Sequence, residues 1–322
     1  MGTDEVVPSK RSALHAQLTL SDKDPTLVRF MSELHNSLLE LIRRTSAEIP
    51  DDVNQSIITS LEQEKKGTLA ESALKIIDRN IQLAKQKSQP ICQDTGSILF
   101  YVGVPVGFDQ IAFDETAKEA VKLATKKGYL RQNSVDSLTG KNDGTNCGPG
   151  APAFHFHQCR SPEVSVRLVL KGGGCENVGA QYSLPSEKLN ANRDLDGCRK
   201  AILDAVLQAQ GKGCGPGILG VCIGGDRATS YEMSKIQFLR LIPDRNPNPK
   251  LDALEQDILK TANELGIGPM GFGGKTTLLG VKICAANRLP ASYFVSISYM
   301  CWAYRRQGLT LDAEGKIGKW LY

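Results

Sequence analysis

The sequence lacks any apolar run near the roughly 20 residues that a membrane-spanning helix needs. Residues 1–21 are mostly polar, without the apolar core of a secretory signal or the arginine-rich, acid-free composition of an organellar presequence. Long basic runs are also missing, because 39 Lys and Arg residues are spread along the chain among 35 Asp and Glu residues. These absences predict a cytoplasmic protein with a short flexible tail at residues 1–21, and they argue against nucleic acid or a membrane as a partner.

The nine cysteines include no C-x-x-C pair of the kind that holds structural zinc. Their number is odd and they are widely scattered, so in a reducing compartment we do not expect a disulfide framework. Inert core thiols, nucleophiles, and metal ligands from distant parts of the chain all stay open. For any single cysteine, a buried core thiol is the default interpretation.

The pattern that is present predicts helices first and strands afterwards. Apolar residues recur at helical spacing over about residues 24–89, with a break at residues 49–52. After Pro90, apolar runs bounded by glycine-rich turns predict strands at residues 98–102, 164–170, 218–223 and 294–300, with a further helix at residues 251–265. We therefore expect one mixed α/β (α+β) domain over residues 22–322, with a helical N-terminal part followed by mixed sheets flanked by helices.

Three cysteines stand at the edges of predicted strands, where loops can converge: Cys92, Cys214 and Cys301. Three thiolates from distant loops suit a [4Fe–4S] cluster in which one iron has no protein ligand. That iron could act as a Lewis acid toward a substrate hydroxyl. Spacing alone leaves the choice open, because three of nine cysteines can be chosen in many ways. His155 and His157 share a face of a predicted strand and form a second candidate metal pair, with plain core or surface placement as the default.

Four local sequences give the cysteines a context: I-C-Q-D-T-G at residues 91–96, K-G-G-G at 171–174, L-G-I-G-P-M-G-F-G-G-K-T-T at 265–277 and C-W-A at 301–303. In this order they resemble the class I fumarases and the α subunit of L(+)-tartrate dehydratase. The resemblance extends over about residues 27–306. It implies a hydro-lyase whose oxygen-sensitive [4Fe–4S] cluster is held by Cys92, Cys214 and Cys301.

The resemblance also implies two catalytic residues beside the cluster. Gln93 and Asp94 would lie next to the bound substrate, and the Asp94 carboxyl would transfer a proton to or from the hydroxyl that leaves or enters as water. Without the motif, Asp94 would be interpreted as a turn residue that bonds its own backbone.

Four further residues are implied as substrate contacts. Arg131 would bind a substrate carboxylate with its guanidinium group, while Gly173 and Gly174 would let backbone amides come close. Lys275 would contact an anion. Without the motif, these residues would be a surface ion pair, a plain turn and a solvated charge.

Two departures from the family pattern bear on the activity. Many members carry a histidine twelve residues before the third cluster cysteine, where this chain has Leu289, which can neither bind a carboxylate nor move a proton. The chain also stops at Tyr322, whereas the family completes its site with a further C-terminal domain or with a separate β subunit. By that analogy we expect a β partner, in a homodimer or an α2β2 assembly.

The expected reaction is the reversible hydration of fumarate to malate, a small dicarboxylate. The alternatives are dehydration of tartrate to oxaloacetate, a non-catalytic relative that carries the cluster, and a structural zinc protein.

Overall fold

The computed structural model describes residues 25–322, so the tail predicted at residues 1–21 lies outside the described residues. Within residues 25–322, no helix combines the length and the apolar character that crossing a membrane requires.

The N-terminal part is helical, as predicted. Helices α1 (Pro25–Ala47), α2 (Asp51–Gln63) and α3 (Leu69–Lys87) follow one another. Pro50 precedes α2, whose first turn carries Asp51 and Asp52, where carboxylates interact favourably with the positive end of a helix. Thr68 caps α3 by accepting a hydrogen bond from the Glu71 N–H.

After Pro90 the chain forms strands with helices between some of them. They are β1 (Ser97–Val104), α4 (Gln110–Lys126), β2 (Ala153–Gln158), β3 (Val164–Lys171), α5 (Gly173–Asn177), β4 (Ala180–Ser183), α6 (Leu195–Ala209), β5 (Gly217–Gly224), α7 (Arg227–Ile236), α8 (Pro249–Glu264), β6 (Leu278–Ala286), β7 (Phe294–Met300), β8 (Arg305–Leu311) and β9 (Ile317–Trp320). All four predicted strands and the predicted helix at residues 251–265 are confirmed.

The strands form two mixed sheets. A five-stranded sheet has the order β2-β1-β3-β8-β9, and a four-stranded sheet has the order β4-β7-β5-β6. In the first sheet β1 is parallel to β2 and antiparallel to β3, and in the second β5 is parallel to β6 and antiparallel to β7. The predicted class, mixed sheets flanked by helices after a helical N-terminal part, is confirmed.

Three hydrophobic cores lie between the helices and the two sheets. Helices α1 and α4 cover one face of the five-stranded sheet, and α6 and α8 cover one face of the four-stranded sheet. A central core is shared by both sheets with α2 and α3. Side chains alternate along a strand, so Phe100 of β1 faces α4 while Leu99 faces the central core. Strand β1 is thus buried on both faces, which explains its continuous apolar run.

Candidate active site

Cys214 and Cys301 lie at the same end of the two central strands of the four-stranded sheet. Strand β5 begins just after Cys214 and the antiparallel strand β7 ends just before Cys301, with Ile218 paired to Met300. The Trp302 N–H donates to the carbonyl oxygen of Cys214 at 3.3 Å and fastens the two loops together. The topology therefore brings together two cysteines that are 87 residues apart in the sequence.

Cys92 reaches the same place from the loop before β1. It packs against the central core together with Cys214, while Cys301 is buried within that core. The Asp94 N–H donates to the Cys92 sulfur at 3.4 Å, so the turn after Cys92 wraps around its thiol. Three loops thus present the three cysteines at one end of the central core.

A fourth thiol, not singled out in the sequence, lies next to Cys301. Cys175 of α5 is buried against Cys301. Hydrogen bonding between the two thiols lowers the pKa of Cys175 to about 7 and raises the pKa of Cys301. Burial raises the pKa of Cys214, and the neighbouring groups Cys175, Cys92 and Asp94 act in the same direction. These sulfur atoms and the Asp94 carboxylate therefore interact electrostatically.

In the described part of the chain, no three His, Cys, Asp or Glu side chains converge as the ligands of a single metal ion would. Cysteines that hold a four-iron cluster each bind a different iron, so they stand farther apart than the ligands of one ion. His155 is packed against the protein, with its ring stacked on Tyr101 and its Nδ1 3.0 Å from Glu232, while His157 is exposed, which agrees with the default interpretation of these two residues. The candidate ligands at this end of the central core are the thiols of Cys92, Cys214 and Cys301, and thiol ligands suit an iron–sulfur cluster.

Asp94 connects the loops around the cysteines. Its Oδ1 accepts hydrogen bonds from the Gly96 N–H at 2.8 Å and from the Asn133 side chain at 2.7 Å. Its Oδ2 accepts one from the Gly173 N–H at 2.6 Å. The carbonyl oxygen of Asp94 accepts a further bond from the Arg305 guanidinium, also at 2.6 Å. One residue therefore ties together its own turn, the segment after Arg131, the K-G-G-G turn and the segment after Cys301.

The backbone of Arg131 is fixed to the same turn. Thr95 accepts a hydrogen bond from the Arg131 N–H at 2.8 Å and donates one to the Arg131 carbonyl oxygen at 2.9 Å. The side chain of the buried Asn146 donates to that carbonyl oxygen as well, at 2.7 Å. Arg131 is exposed, so its guanidinium faces solvent from a backbone that is fixed to the turn containing Asp94.

Glycine is required where the K-G-G-G turn meets the Asp94 turn. Gly96 has a positive φ of 76°, and a side chain on it would overlap the carbonyl oxygen of Lys171. A Cβ on Gly172 would lie 3.2 Å from the Asp94 carboxylate. The two turns can therefore approach only as bare backbone. Gly173, the first residue of α5, donates its N–H to Asp94 directly, whereas Gly174, the second residue, forms no hydrogen bond with Asp94.

Gln93 and Lys275 have different surroundings. Gln93 is exposed next to Cys92, whose thiol donates a weak 3.8 Å hydrogen bond to the Gln93 side chain. The exposed Lys275 lines a pocket with Asp52 and Ser56 of α2. Of the predicted site residues, Lys275 is thus the one that the structure places beside α2 instead of in the network around Asp94.

Leu289 lies far from this site. It is 74% exposed in the turn before β7, whereas Cys301 follows the other end of that strand. Seven residues of extended chain separate the two ends by about 20 Å. The position that departs from the family pattern therefore does not line the Asp94 site of its own chain.

Comparison with known proteins gives matches over most of this chain. Residues 35–310 match the family described as fumarate hydratase (Fumerase). A curated protein of Geobacillus stearothermophilus named "Putative fumarate hydratase class I" is 52% identical over 296 residues, which cover 91% of this chain and 58% of the relative. The L(+)-tartrate dehydratase subunit alpha of Escherichia coli K12 is 32% identical over 286 residues, which cover 87% of this chain and 92% of that subunit. The chain thus spans somewhat more than half of the first relative and nearly all of the second.

Proposed function

Because this chain belongs to the fumarate hydratase (Fumerase) family, we propose that it is the iron–sulfur-binding part of a hydro-lyase that reversibly hydrates fumarate to malate. The observation that carries this proposal is the convergence of Cys92, Cys214 and Cys301 beside Asp94 at one end of the central core. The 52% identity to a protein named as a fumarate hydratase favours fumarate as the substrate.

The cluster of this proposal is a [4Fe–4S] cluster bound by Cys92, Cys214 and Cys301. With three protein ligands it supplies, when bound, an iron that can act as a Lewis acid on a substrate oxygen. The donor set fits because three thiols arrive on three separate loops and Asp94 stands next to them. Cys175 is buried against Cys301, and the resemblance assigns it no ligand role, so we leave it out of the ligand set.

Asp94 is the group that moves a proton in this proposal. Hydration places a hydroxyl on one carbon of fumarate and a hydrogen on the other, so the water loses a proton as it adds. The Oδ2 of Asp94 accepts a single hydrogen bond, from Gly173, and keeps lone-pair capacity for that proton. In the reverse reaction the same carboxyl returns the proton to the departing hydroxyl.

Arg131 and Gln93 bind and orient the substrate. The exposed guanidinium of Arg131, on a backbone held by Thr95, can form two parallel hydrogen bonds with one carboxylate of the dicarboxylate. Gln93 can donate its amide to the same ligand from beside Cys92. The substrate contacts of Gly174 and Lys275 stay predictions from the resemblance.

The proton at the second carbon needs another group, which we assign to a partner. We propose a separate β subunit that completes the site, in a homodimer or an α2β2 assembly, because the tartrate dehydratase relative is named as an alpha subunit. A cytoplasmic location remains part of the same proposal.

Dehydration of tartrate to oxaloacetate is the second candidate. It is supported by the 32% identity to the L(+)-tartrate dehydratase subunit alpha of Escherichia coli K12. Both reactions use the same site chemistry, so the substrate has to be decided by assay.

The deciding experiment is the iron and sulfide content, with the visible spectrum, of protein purified and reconstituted without oxygen. We expect about four irons and four sulfides per chain, and strong depletion in Cys214→Ala. Cys222→Ala is the matched control, because Cys222 is a fully buried thiol inside β5, eight residues beyond Cys214.

Wild-type protein without iron after reconstitution would contradict the cluster, and stoichiometric zinc would favour the structural zinc alternative. If the cluster is present, hydration of fumarate and dehydration of tartrate are then measured with the β partner added. Loading without turnover of either substrate would favour the non-catalytic relative.

A further inference from the structure

Buried basic side chains in the described part of the chain are paired with carboxylates, with one exception. Three pairs share this arrangement: Lys171 with Glu176 at 3.0 Å, Lys282 with Asp244 at 3.1 Å and Arg306 with Asp52 at 2.7 Å. Arg305 is 1% exposed and forms no ion pair with any described residue. A buried charge without a counter-charge is strongly unfavourable, so the position of Arg305 requires an explanation.

The hydrogen bonds of Arg305 do not supply the missing counter-charge. Its Nη1 donates to the carbonyl oxygen of Asp94, which is a neutral acceptor. Its Nε is buried and has no hydrogen-bond partner among the described residues. The neighbouring Arg306 is equally buried, but its charge is balanced by the Asp52 carboxylate.

The surroundings of Arg305 indicate where a counter-charge would lie. Arg305 comes four residues after Cys301 and pairs with Leu170 in the register of β8 and β3, directly below the K-G-G-G turn. Its Nη2 approaches Gly172 on the side of the Asp94 carboxylate. Its backbone N–H donates to the carbonyl oxygen of Ala303 at 2.9 Å, so Arg305 is fixed in the turn that follows Cys301.

We propose that Arg305 is the internal counter-cation of the iron–sulfur cluster, and that it also holds the Asp94 turn against that cluster. This inference rests on the proposed function, since three thiolates around a [4Fe–4S]²⁺ core carry a net negative charge at the buried end of the site. Arg305 is a positioning residue in this arrangement, because its contact with Asp94 is made through the backbone carbonyl oxygen of Asp94.

The test compares Arg305→Met with Arg305→Lys and Arg306→Met, each with and without the cluster. The first readout is the rate of iron release to a chelator under anaerobic conditions, followed by visible absorbance. We expect release about tenfold faster from Arg305→Met than from the wild type, since residues that support metal ligands typically change metal affinity 10–100-fold. Arg305→Lys keeps the charge and should recover most of the retention.

The second readout is the urea midpoint of the cluster-free chains. Arg305→Met removes an unpaired buried cation, so its midpoint should be equal to that of the wild type or higher. Arg306→Met leaves Asp52 buried without its partner, so its midpoint should fall with and without the cluster.

Iron release from Arg305→Met at the wild-type rate would overturn the inference. So would a cluster-free Arg305→Met midpoint as low as that of Arg306→Met, because Arg305 would then be a purely structural residue. A wild-type chain that binds no iron and sulfide refutes the proposed cofactor itself, and that result is distinct from a loaded wild type whose Arg305 variants behave identically.

Discussion

Replacing Asp94 by asparagine changes the carboxylate that joins four segments of the site. The Oδ1 accepts two hydrogen bonds, from Gly96 and Asn133, and the Oδ2 accepts one from Gly173. An asparagine has one side-chain oxygen, which can keep the two bonds at the Oδ1 position. Its NH₂ group must then face the Gly173 N–H, so two donors meet where the wild type has a 2.6 Å hydrogen bond.

This geometry determines how much stability and activity the Asp94→Asn variant should lose. One hydrogen bond to a charged acceptor disappears, and a donor is left without a partner, so we expect Asp94→Asn to lower the free energy of unfolding by about 1.5–3 kcal/mol. The variant also lacks the group that moves the proton, so kcat for hydration should fall by a factor of about 10² to 10⁴. Activity is measured as loss of fumarate absorbance in the complex with the β partner, and stability by urea denaturation of the cluster-free chain.

The control is Asn133→Ala, which removes one donor from the exposed side of the same carboxylate. It should cost about 1 kcal/mol of stability and leave kcat within about tenfold of the wild type, because the carboxylate remains. Asp94→Asn with full iron content and more than a tenth of wild-type kcat would refute the role of Asp94 in proton transfer.

Other substitutions test the remaining parts of the site. Arg131→Lys loses one of two parallel bonds to the substrate, so KM should rise about tenfold with little change in kcat, as measured by steady-state kinetics. Gly96→Ala places a Cβ against the Lys171 carbonyl at a positive φ, and should lower the free energy of unfolding by about 2 kcal/mol or more in urea denaturation. Glu176→Gln leaves the buried ammonium of Lys171 without a carboxylate and should cost about 3 kcal/mol, while the same change at the exposed Glu314 should have little effect. Burial acts to raise the pKa of Glu176, but the positive charges of Lys171 and Lys235 outweigh this effect, so the pKa is lowered. Its stabilising effect is therefore present above its ordinary pKa of about 4.3 and is lost as pH falls through the lower folded pKa, so the stability gap between wild type and Glu176→Gln should shrink in acid. Leu289→Ala should leave iron content unchanged and stability within about 0.5 kcal/mol.

The elements that could be predicted from the sequence are those with strong apolar patterns. Strands β1 and β5 are buried on both faces and appear as continuous apolar runs, which is why the pattern identifies them. Helices α4 and α6 were not predicted, because much of their buried stripe consists of alanine, which gives a weak hydrophobic signal. Strand β8 begins with Arg305, Arg306 and Gln307, all buried, and polar residues of this kind give no strand signal.

In the site, too, residues within short sequence motifs could be predicted, whereas contacts between distant parts of the chain could not. Short motifs identify Cys92, Asp94 and Cys301, because their neighbours in sequence carry the resemblance. The hydrogen bond between Asn133 and Asp94 spans 39 residues, and the one between Arg305 and Asp94 spans 211. Contacts at such separations depend on how the sheets are assembled, so composition and periodicity contain no information about them. The contact between Cys175 and Cys301 could not be predicted for a related reason, since nothing near Cys175 in the sequence indicates it.

Leu289 departs from the family pattern, and its position in the structure changes what this departure implies for activity. In the sequence it counts against activity, because leucine offers neither a charge nor a proton. In the structure it is separated from Cys301 by the full length of β7, so direct contact with the Asp94 site of its own chain is excluded. A side chain at this position can act on catalysis only across an interface with another chain. The non-catalytic alternative therefore loses its main support. The turn that carries Asp94, proposed for proton transfer, also holds the backbone of Arg131, proposed for carboxylate binding, through Thr95.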